Sequence, residues 1–260
     1  MTGTHRELRL PDGRAVWCTS PGEASLMWRE ATGDGFYRHA AQLLRPGDTV
    51  LDVGANVGLV SMAFADAQPR LRVIAVEPVP DTFACLEANL ARWVPGAVAI
   101  RTAVAAVPGQ RSLTYYPAAP GNSGLYADRL ADDAMTRTYM RNSGMDDEFI
   151  ELLVEGLHEG RELPVPVTTV SELMRAYDVG TVALLKVDVE RAEMDVLRGV
   201  AGADWARIDA VVAEVHDEDG RLADFCALLR EAGLPAQVRQ DPGLVGTGLF
   251  EILAHREAGR

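Results

Sequence analysis

Apolar and polar positions along this chain follow two periodicities in turn, and their alternation predicts strands connected by helices. Short apolar runs at Thr49–Val53, Arg72–Glu77 and Val98–Arg101 have the length and composition of buried strands. Two further runs of this kind lie at Val182–Val189 and Ala210–Val215. The segments between them repeat apolar residues every three or four positions, as amphipathic helices do. We therefore expect a mostly parallel sheet with helices on both faces.

The two ends of the chain depart from this alternation. An N-terminal β-hairpin is predicted around the turn sequence Pro11-Asp12-Gly13, and a mostly helical stretch follows at Gly22–Leu44. The last apolar run, Leu249–His255, is expected to form an antiparallel strand at the edge of the sheet. The fold therefore has a hairpin and helix extension before its first central strand.

An internal segment, residues 117–166, also interrupts the strand and helix rhythm. It contains two predicted helices, at about Tyr126–Arg141 and Asp146–Glu159. An insertion of this size in a compact domain usually has a function, such as a lid over a site. A peripheral support or a dimer arm is the alternative interpretation.

A glycine turn follows the first central strand and predicts a cofactor site. Gly54 and Gly58 bracket a tight turn between this strand and a helix N-terminus, an arrangement that forms a cofactor cradle at the sheet edge. Glu77 ends the next strand, where it can accept hydrogen bonds from both ribose hydroxyls. The dinucleotide spacing G-x-G-x-x-G is absent, and Asp52 would repel a pyrophosphate. Asp52 suits instead a cofactor with a cation or amine, as in S-adenosylmethionine (SAM).

Polar residues interrupt the next two strands, which would normally be aliphatic throughout. Lys186, Asp188 and Glu190 share one face of the fourth strand, while Glu214 and His216 share a face of the fifth. His216 is the best candidate for a general base because the ordinary pKa of histidine is about 6.5. Asp188 would then hold its tautomer or orient the substrate.

Two alternatives stay open for these polar residues. Lys186 either has a direct role in the chemistry or forms a structural ion pair with Asp188 or Glu214 that anchors neighbouring strands. In addition, Asp188, Glu214 and His216 offer the oxygen and imidazole ligands that Mg²⁺ or Mn²⁺ bind. Such an ion would lower the pKa of a substrate hydroxyl.

Two motifs of this chain are similar to those of the FkbM family of SAM-dependent methyltransferases. They are D-V-G-A-N-V-G at 52–58 and L-K-V-D-V-E-R-A-E at 185–193, and the resemblance covers roughly residues 30–115 and 165–255. Arg191 stands where the family normally has glycine. The resemblance implies a Rossmann-like class I methyltransferase fold with a mostly parallel seven-stranded sheet. It also implies that SAM is the cofactor and that the acceptor is a hydroxyl of a sugar, polyketide or other secondary metabolite, antibiotics included.

The resemblance and the positions above give the candidate site residues. Those expected to bind the cofactor are Asp52, Gly54, Asn56, Gly58, Glu77, Pro78, Thr102, Ala103 and Asp188. Those expected to contact the substrate are Asn122, Ser123, Glu190 and Glu214. Those expected to be catalytic are His216, Asp188 and Lys186. The single domain, 1–260, divides into an N-terminal extension (1–47), a cofactor-binding half (48–116), a helical insertion or lid (117–166) and a substrate-side half (167–260).

Composition narrows the range of partners. The chain has 25 Lys and Arg residues against 38 Asp and Glu residues, and its net charge of −13 disfavours nucleic acids and anionic membranes. Three widely spaced cysteines suit reduced thiols in a cytoplasmic protein. We therefore expect a cytoplasmic enzyme with a small-molecule acceptor. Whether it forms a homodimer is left open by the sequence. N- or carboxyl-methylation in the same cleft, and a SAM-binding scaffold without catalysis, are the alternative functions.

Overall fold

The computed structural model describes residues 5–256, so residues 1–4 and 257–260 of the predicted domain lie outside it. In chain order the strands are β1 Arg6–Arg9, β2 Ala15–Cys18, β3 Thr49–Val53, β4 Arg72–Val76, β5 Val98–Ile100, β6 Ala103–Val104, β7 Gly109–Tyr115, β8 Arg161–Thr168, β9 Leu184–Val187, β10 Ala210–His216, β11 Ala236–Arg239 and β12 Leu249–His255. The helices are α1 Pro21–Thr32, α2 Phe36–Ala41, α3 Leu59–Ala67, α4 Pro80–Trp93, α5 Arg129–Asn142, α6 Asp147–Val154, α7 Val170–Ala176, α8 Glu193–Arg198 and α9 Arg221–Glu231.

Seven strands form the central sheet, in the order β11-β12-β10-β9-β3-β4-β5. From β10 to β5 all neighbouring strands are parallel, whereas β12 is antiparallel to both β10 and β11. The predicted Rossmann-like fold with a mostly parallel seven-stranded sheet is therefore confirmed. The predicted hairpin is also present, as the antiparallel pair of β1 and β2.

Alternate residues of each central strand face opposite helical layers. Val50 and Val73 belong to one buried cluster, which also contains apolar residues of α3 and α4. Leu51 and Ile74 belong to a second cluster, which contains residues of α7, α8 and α9. Both faces of the parallel strands are therefore covered, which explains their continuous apolar sequences. None of the helices between residues 5 and 256 has the length and apolar content needed to cross a membrane.

The position of the last strand corrects one prediction. Leu249–His255 is antiparallel as expected, but it does not lie at the sheet edge, because β11 pairs along its outer side. The sequence of β11 is Ala-Gln-Val-Arg, and three of its four residues are exposed. A strand this short and polar has no apolar run by which it could be recognised.

The insertion is also shorter than predicted. Its last residues belong to β8, which pairs with β7 and β6 in a separate three-stranded sheet. Pro164 and Pro166 lie within β8, and prolines usually argue against a strand because they lack an amide hydrogen. The second helix of the insertion is capped by Asp146 as the pattern indicates, but it ends at Val154, before Gly156 adopts a left-handed φ of +73°.

Candidate functional site

A cavity of about 770 Å³ opens where the carboxyl ends of the central strands meet. This volume lies within the range of roughly 300–1,000 Å³ typical of small-molecule and cofactor pockets. Its wall has two parts, which we name after the strands beside them. The β4 end is lined by Asn56, Glu77, Pro78, Thr102 and Ala103. The β10 end is lined by Tyr37, Asp188, Glu190 and Glu214, with Met135, Thr136, Tyr139 and Met140 of α5.

The turn after β3 depends on glycine for two different reasons. Gly54 has a φ of +77°, and a Cβ atom there would lie 1.7 Å from the backbone oxygen of Asp188. Only glycine allows this close approach of the turn to the end of β9. Gly58 has a φ of +89°, and a Cβ atom would lie 2.8 Å from Cδ1 of Leu86. Gly58 lies outside the cavity wall, so its visible role is to let α3 pack against α4.

Glu77 is held in the wall of the β4 end by backbone groups. Its Oε2 accepts a hydrogen bond from the amide of Asn56 at 3.2 Å, and its Oε1 accepts one from the amide of Val79 at 2.8 Å. Only 7% of the residue is exposed. Burial raises the pKa of Glu77 to about 7, although the two amide groups act in the opposite direction. Both carboxylate oxygens are thus fixed at the cavity.

Asp52 and Lys186 lie beside the glycine turn, and Lys186 also lines the cavity. Asp52 is fully buried outside the cavity wall, and its Oδ2 accepts a hydrogen bond from Ser61 Oγ at 2.6 Å. Lys186 donates from Nζ to the backbone oxygen of Gly54 at 2.5 Å and lies 3.3 Å from Oδ1 of Asp52 and from Oδ2 of Asp188. Burial alone would lower the pKa of Lys186, but Asp188 and Asp52 raise it well above its ordinary value.

The structural ion pair predicted as one alternative for Lys186 is therefore present. It connects Lys186 to Asp188 and Asp52, whereas Glu214 was the other suggested partner. The direct contact expected between Asp52 and a cofactor cation is not supported, because Asp52 is buried and its charge is balanced by Lys186. The ammonium group joins β3, the glycine turn and β9 at the centre of the site.

Carboxylates crowd the β10 end. The hydroxyl of Tyr37 lies 3.3 Å from Oδ2 of Asp188 and 3.4 Å from Oε1 of Glu214, within reach of both. Burial and the nearby Asp188 raise the pKa of Glu214 well above its ordinary value. Burial raises the pKa of Glu190 to about 8, against the opposing effect of His216. This end of the cavity therefore contains groups that can bind or release a proton near neutral pH.

His216 does not line this cavity. The residue is 5% exposed, and its Nδ1 lies 3.0 Å from Oε1 of Glu193. Its Nε2 lies 3.4 Å from Oε2 of Glu190 without the alignment of a hydrogen bond. Burial lowers the pKa of His216, but Glu193 and Glu190 raise it, with a net shift upward. Glu190 thus lies between His216 and the cavity, and Glu193 contacts the ring nitrogen for which Asp188 was the expected partner.

The two residues predicted after β7 both line the cavity. Ser123 accepts a hydrogen bond at Oγ from the amide of Tyr116 at 3.0 Å, so its hydroxyl shapes the loop. Asn122 ends a short 3₁₀ turn, and the amide of Gly121 within it donates to Oε2 of Glu23 on α1 at 3.2 Å. The N-terminal extension and the loop are therefore joined by a contact in the cavity wall.

The predicted metal alternative does not form a site here. Within residues 5–256 no three histidine, cysteine, aspartate or glutamate side chains are grouped as metal ligands. Asp188 and Glu214 face the cavity, whereas His216 faces Glu193.

Comparison with known proteins identifies the family. A model of the methyltransferase FkbM domain matches residues 52–234. The chain belongs to the FkbM family of SAM-dependent methyltransferases. It is 40% identical to the 31-O-demethyl-FK506 methyltransferase FkbM of Streptomyces tacrolimicus over 262 residues, which cover all of both chains. It is also 33% identical to Methyltransferase 1 of Beauveria bassiana, over 81% of this chain and 82% of that one.

A solved structure supports the fold of this FkbM-family chain. The crystal structure of methyltransferase FkbM from Methylobacillus flagellatus KT superposes with a TM-score of 0.53, at 11% identity. The match covers 82% of this chain and 44% of that one. At this identity the likeness shows a common fold and nothing finer.

The residues of the β4 end fit the nucleoside of SAM. Glu77 presents two carboxylate oxygens at the cavity, as a ribose with two donor hydroxyls requires, and amide groups hold both in place. Gly54 allows the backbone to pass close to the end of β9, and it lines the cavity beside Asn56. The sequence-based choices of Asn56, Pro78, Thr102 and Ala103 all lie in this wall. Their contacts with SAM stay predictions.

Arg191, the departure from the usual FkbM-family glycine, keeps the backbone conformation that glycine favours. Its φ is +71°, and Glu190 before it has a φ of +52°. Both values lie in the left-handed region that is costly for residues other than glycine. The turn that presents Glu190 to the cavity is therefore formed despite the side chain at 191.

Proposed function

We propose that this FkbM-family enzyme transfers a methyl group from SAM to a hydroxyl of a small secondary metabolite, such as a polyketide or a sugar. The observation that carries the proposal is the group of carboxylates at the β10 end, of which Glu190 and Glu214 have raised pKa values. A hydroxyl must lose its proton as it is methylated, so a base with a pKa near neutrality is needed beside it.

One relative supports the same acceptor class. The Streptomyces tacrolimicus relative, similar over its whole length, is named for a 31-O-demethyl acceptor. The net charge of −13 favours a small acceptor over a nucleic acid. A cavity of about 770 Å³ has space for a small acceptor group beside the cofactor.

Three residues of the β10 end and two residues behind them have roles in this proposal. When bound, SAM supplies a methyl group activated by a sulfonium cation. Asp188 and Tyr37, which contact each other, orient the acceptor hydroxyl. Glu190 takes the hydroxyl proton, and His216 beside it stabilises the ionised carboxylate. Glu193 fixes the imidazole from its other side.

An amine acceptor is the second candidate, because the same carboxylates would attract an ammonium group. Two matched acceptor series, hydroxyl compounds and their amino analogues, separate the candidates when each is incubated with SAM and the enzyme. We expect mass spectrometry to find the gain of one methylene unit on hydroxyl compounds only. Methylation of the amino analogues alone would contradict the proposed function. SAM binding without any methylation would favour the scaffold alternative.

A further inference from the structure

A buried carboxylate holds the insertion against the domain. Asp132 lies on α5 with 0% exposure, although most of this helix is partly or fully exposed. Aspartate is almost never fully buried unless it is paired. Its Oδ1 accepts a hydrogen bond from Nη1 of Arg191 at 2.5 Å, and its Oδ2 accepts one from the hydroxyl of Tyr116 at 2.9 Å.

Arg191 connects α5 to two further segments. Its Nε donates to Oε1 of Glu218 at 2.6 Å, in the loop after β10. Its backbone amide donates to Oε1 of Glu193 at 2.8 Å, and Glu193 also contacts His216. The side chain of Arg191 is 4% exposed. The fork of a guanidinium group can hold two carboxylates at once, whereas an ammonium group acts as a single point charge.

The segments joined by Arg191 are two walls of the β10 end. Glu190, the residue before it, lines the cavity from the turn after β9. Tyr139 lines the cavity from α5, two turns beyond Asp132. Near its N-terminus α5 has one further buried anchor, since Oδ1 of Asp133 lies 2.7 Å from Nδ1 of His158.

We propose that Arg191 is a positioning residue that holds α5 against the turn carrying Glu190 and so closes the acceptor side of the cavity. The left-handed backbone at 191 would suit glycine better, so the arginine is explained by its side chain and not by the turn. The effect of Arg191 on turnover rests on the proposed function. Its contact with α5 does not depend on that function.

The main test is Arg191→Gly, because glycine suits a φ of +71° and the side chain is therefore removed without straining the turn. Hydrogen exchange of residues 129–142 should become about tenfold faster, since local opening then lacks its buried pair. Affinity for S-adenosylhomocysteine (SAH), measured by calorimetry, should stay within about twofold, because no contact with the β4 end is changed. Arg191→Lys should restore part of the protection through Asp132 alone.

Two further variants keep the test sharp. Asp132→Asn removes the charge from the α5 side and should accelerate exchange in the same segment, with no additional effect in the double variant. Arg137→Gln is the matched control, because Arg137 of α5 pairs with Glu151 of α6 on the exposed surface and does not contact the turn after β9. The control should leave exchange of 129–142 unchanged.

Three results decide the proposal. Wild-type exchange of residues 129–142 in Arg191→Gly would overturn it. Faster exchange spread equally over β3 and β4 would also overturn it, because the role would then be general stability. With any acceptor found by the mass screen, Arg191→Gly should raise the KM for that acceptor and leave the KM for SAM unchanged. If the screen finds no hydroxyl acceptor, the proposed function fails while the exchange result still decides the role of Arg191.

Discussion

The two ends of the cavity are built in different ways. At the β4 end, backbone amides of Asn56 and Val79 hold Glu77, and the Gly54 turn packs closely against the end of β9. At the β10 end, side chains from α2, β10 and the turn after β9 meet one another, and Arg191 holds α5 beside them. Backbone geometry fixes the first end, so it suits a constant ligand. Side-chain contacts fix the second, so its shape can change by substitution without altering the fold.

The electrostatics differ in the same sense. Glu77 is a single carboxylate whose oxygens are held by amide donors. The β10 end has three neighbouring carboxylates, Asp188, Glu190 and Glu214, and the buried cation Lys186 contacts only Asp188 among them. Carboxylates crowded in this way share protons, because two like charges in a poorly solvated site disfavour each other. The β4 end is therefore suited to binding, and the β10 end to proton transfer.

The largest expected effect is on turnover, from Glu190→Gln. Loss of the proposed base should lower turnover by ~10²–10⁴-fold while the affinity for SAM changes little. In the wild type, kcat/KM should rise with pH through the Glu190 pKa of about 8, since only the ionised carboxylate accepts a proton. Initial rates across pH test both statements. Full turnover in Glu190→Gln would move the base to Asp188 or Glu214.

The next largest effect is on the free energy of unfolding, from a substitution of Lys186. Lys186→Met removes the cation that lies 3.3 Å from both Asp52 and Asp188 and leaves a buried charge without a partner. Breaking a buried pair from one side typically costs about 3–5 kcal/mol. Urea unfolding should show this loss, and adding Asp52→Asn should recover part of it. A loss below about 1 kcal/mol would mean that the pair behaves like an exposed salt bridge.

A smaller effect is expected on binding, from Glu77→Gln. Loss of charge-assisted hydrogen bonds to ribose should weaken SAH binding by about 1.5–3 kcal/mol. Because the Glu77 pKa is raised to about 7, wild-type affinity should increase as pH rises through that value and the carboxylate ionises. Glu214→Gln, at the other end, is the matched control. Equal losses in both variants, measured by calorimetry, would contradict the division between the two ends.

The same division explains what the sequence could predict. The glycine turn lies within one strand, turn and helix, and Glu77 ends the next strand, so both could be located from the apolar runs and the glycine spacing. The antiparallel β12 and the seven-stranded sheet were also predicted and are confirmed. Local patterns indicate which residues share a face of a strand, but not which residues from other elements pack against that face. For this reason Asp52 was expected to face a ligand, although it is buried against Ser61 and Lys186.

The β10 end depends on contacts between residues far apart in the chain. Tyr37 and Asp188 are separated by 151 positions, and Arg191 and Asp132 by 59. No periodicity encodes such pairs, and Tyr37 has the spacing of an ordinary core residue. Arg191 was the one sign of such a contact in the sequence, because the FkbM family normally has glycine at this position. The partner of that cation could not be found without the fold.

The smallest expected effect distinguishes two roles for His216. It either stabilises the ionised Glu190 or accepts the proton itself. In the structure His216 lowers the pKa of Glu190, so His216→Ala should raise that pKa. The rise of kcat/KM with pH should then move upward by about one pH unit, with about a tenfold loss of rate below it. Rates of the variant well above pH 9 should approach those of the wild type, because Glu190 is then ionised in both. If His216 itself accepts the proton, as the sequence suggested, the variant should lose ~10²–10⁴-fold at every pH. That result would require the imidazole to leave Glu193 and reach the cavity, and His216→Asn would not rescue it.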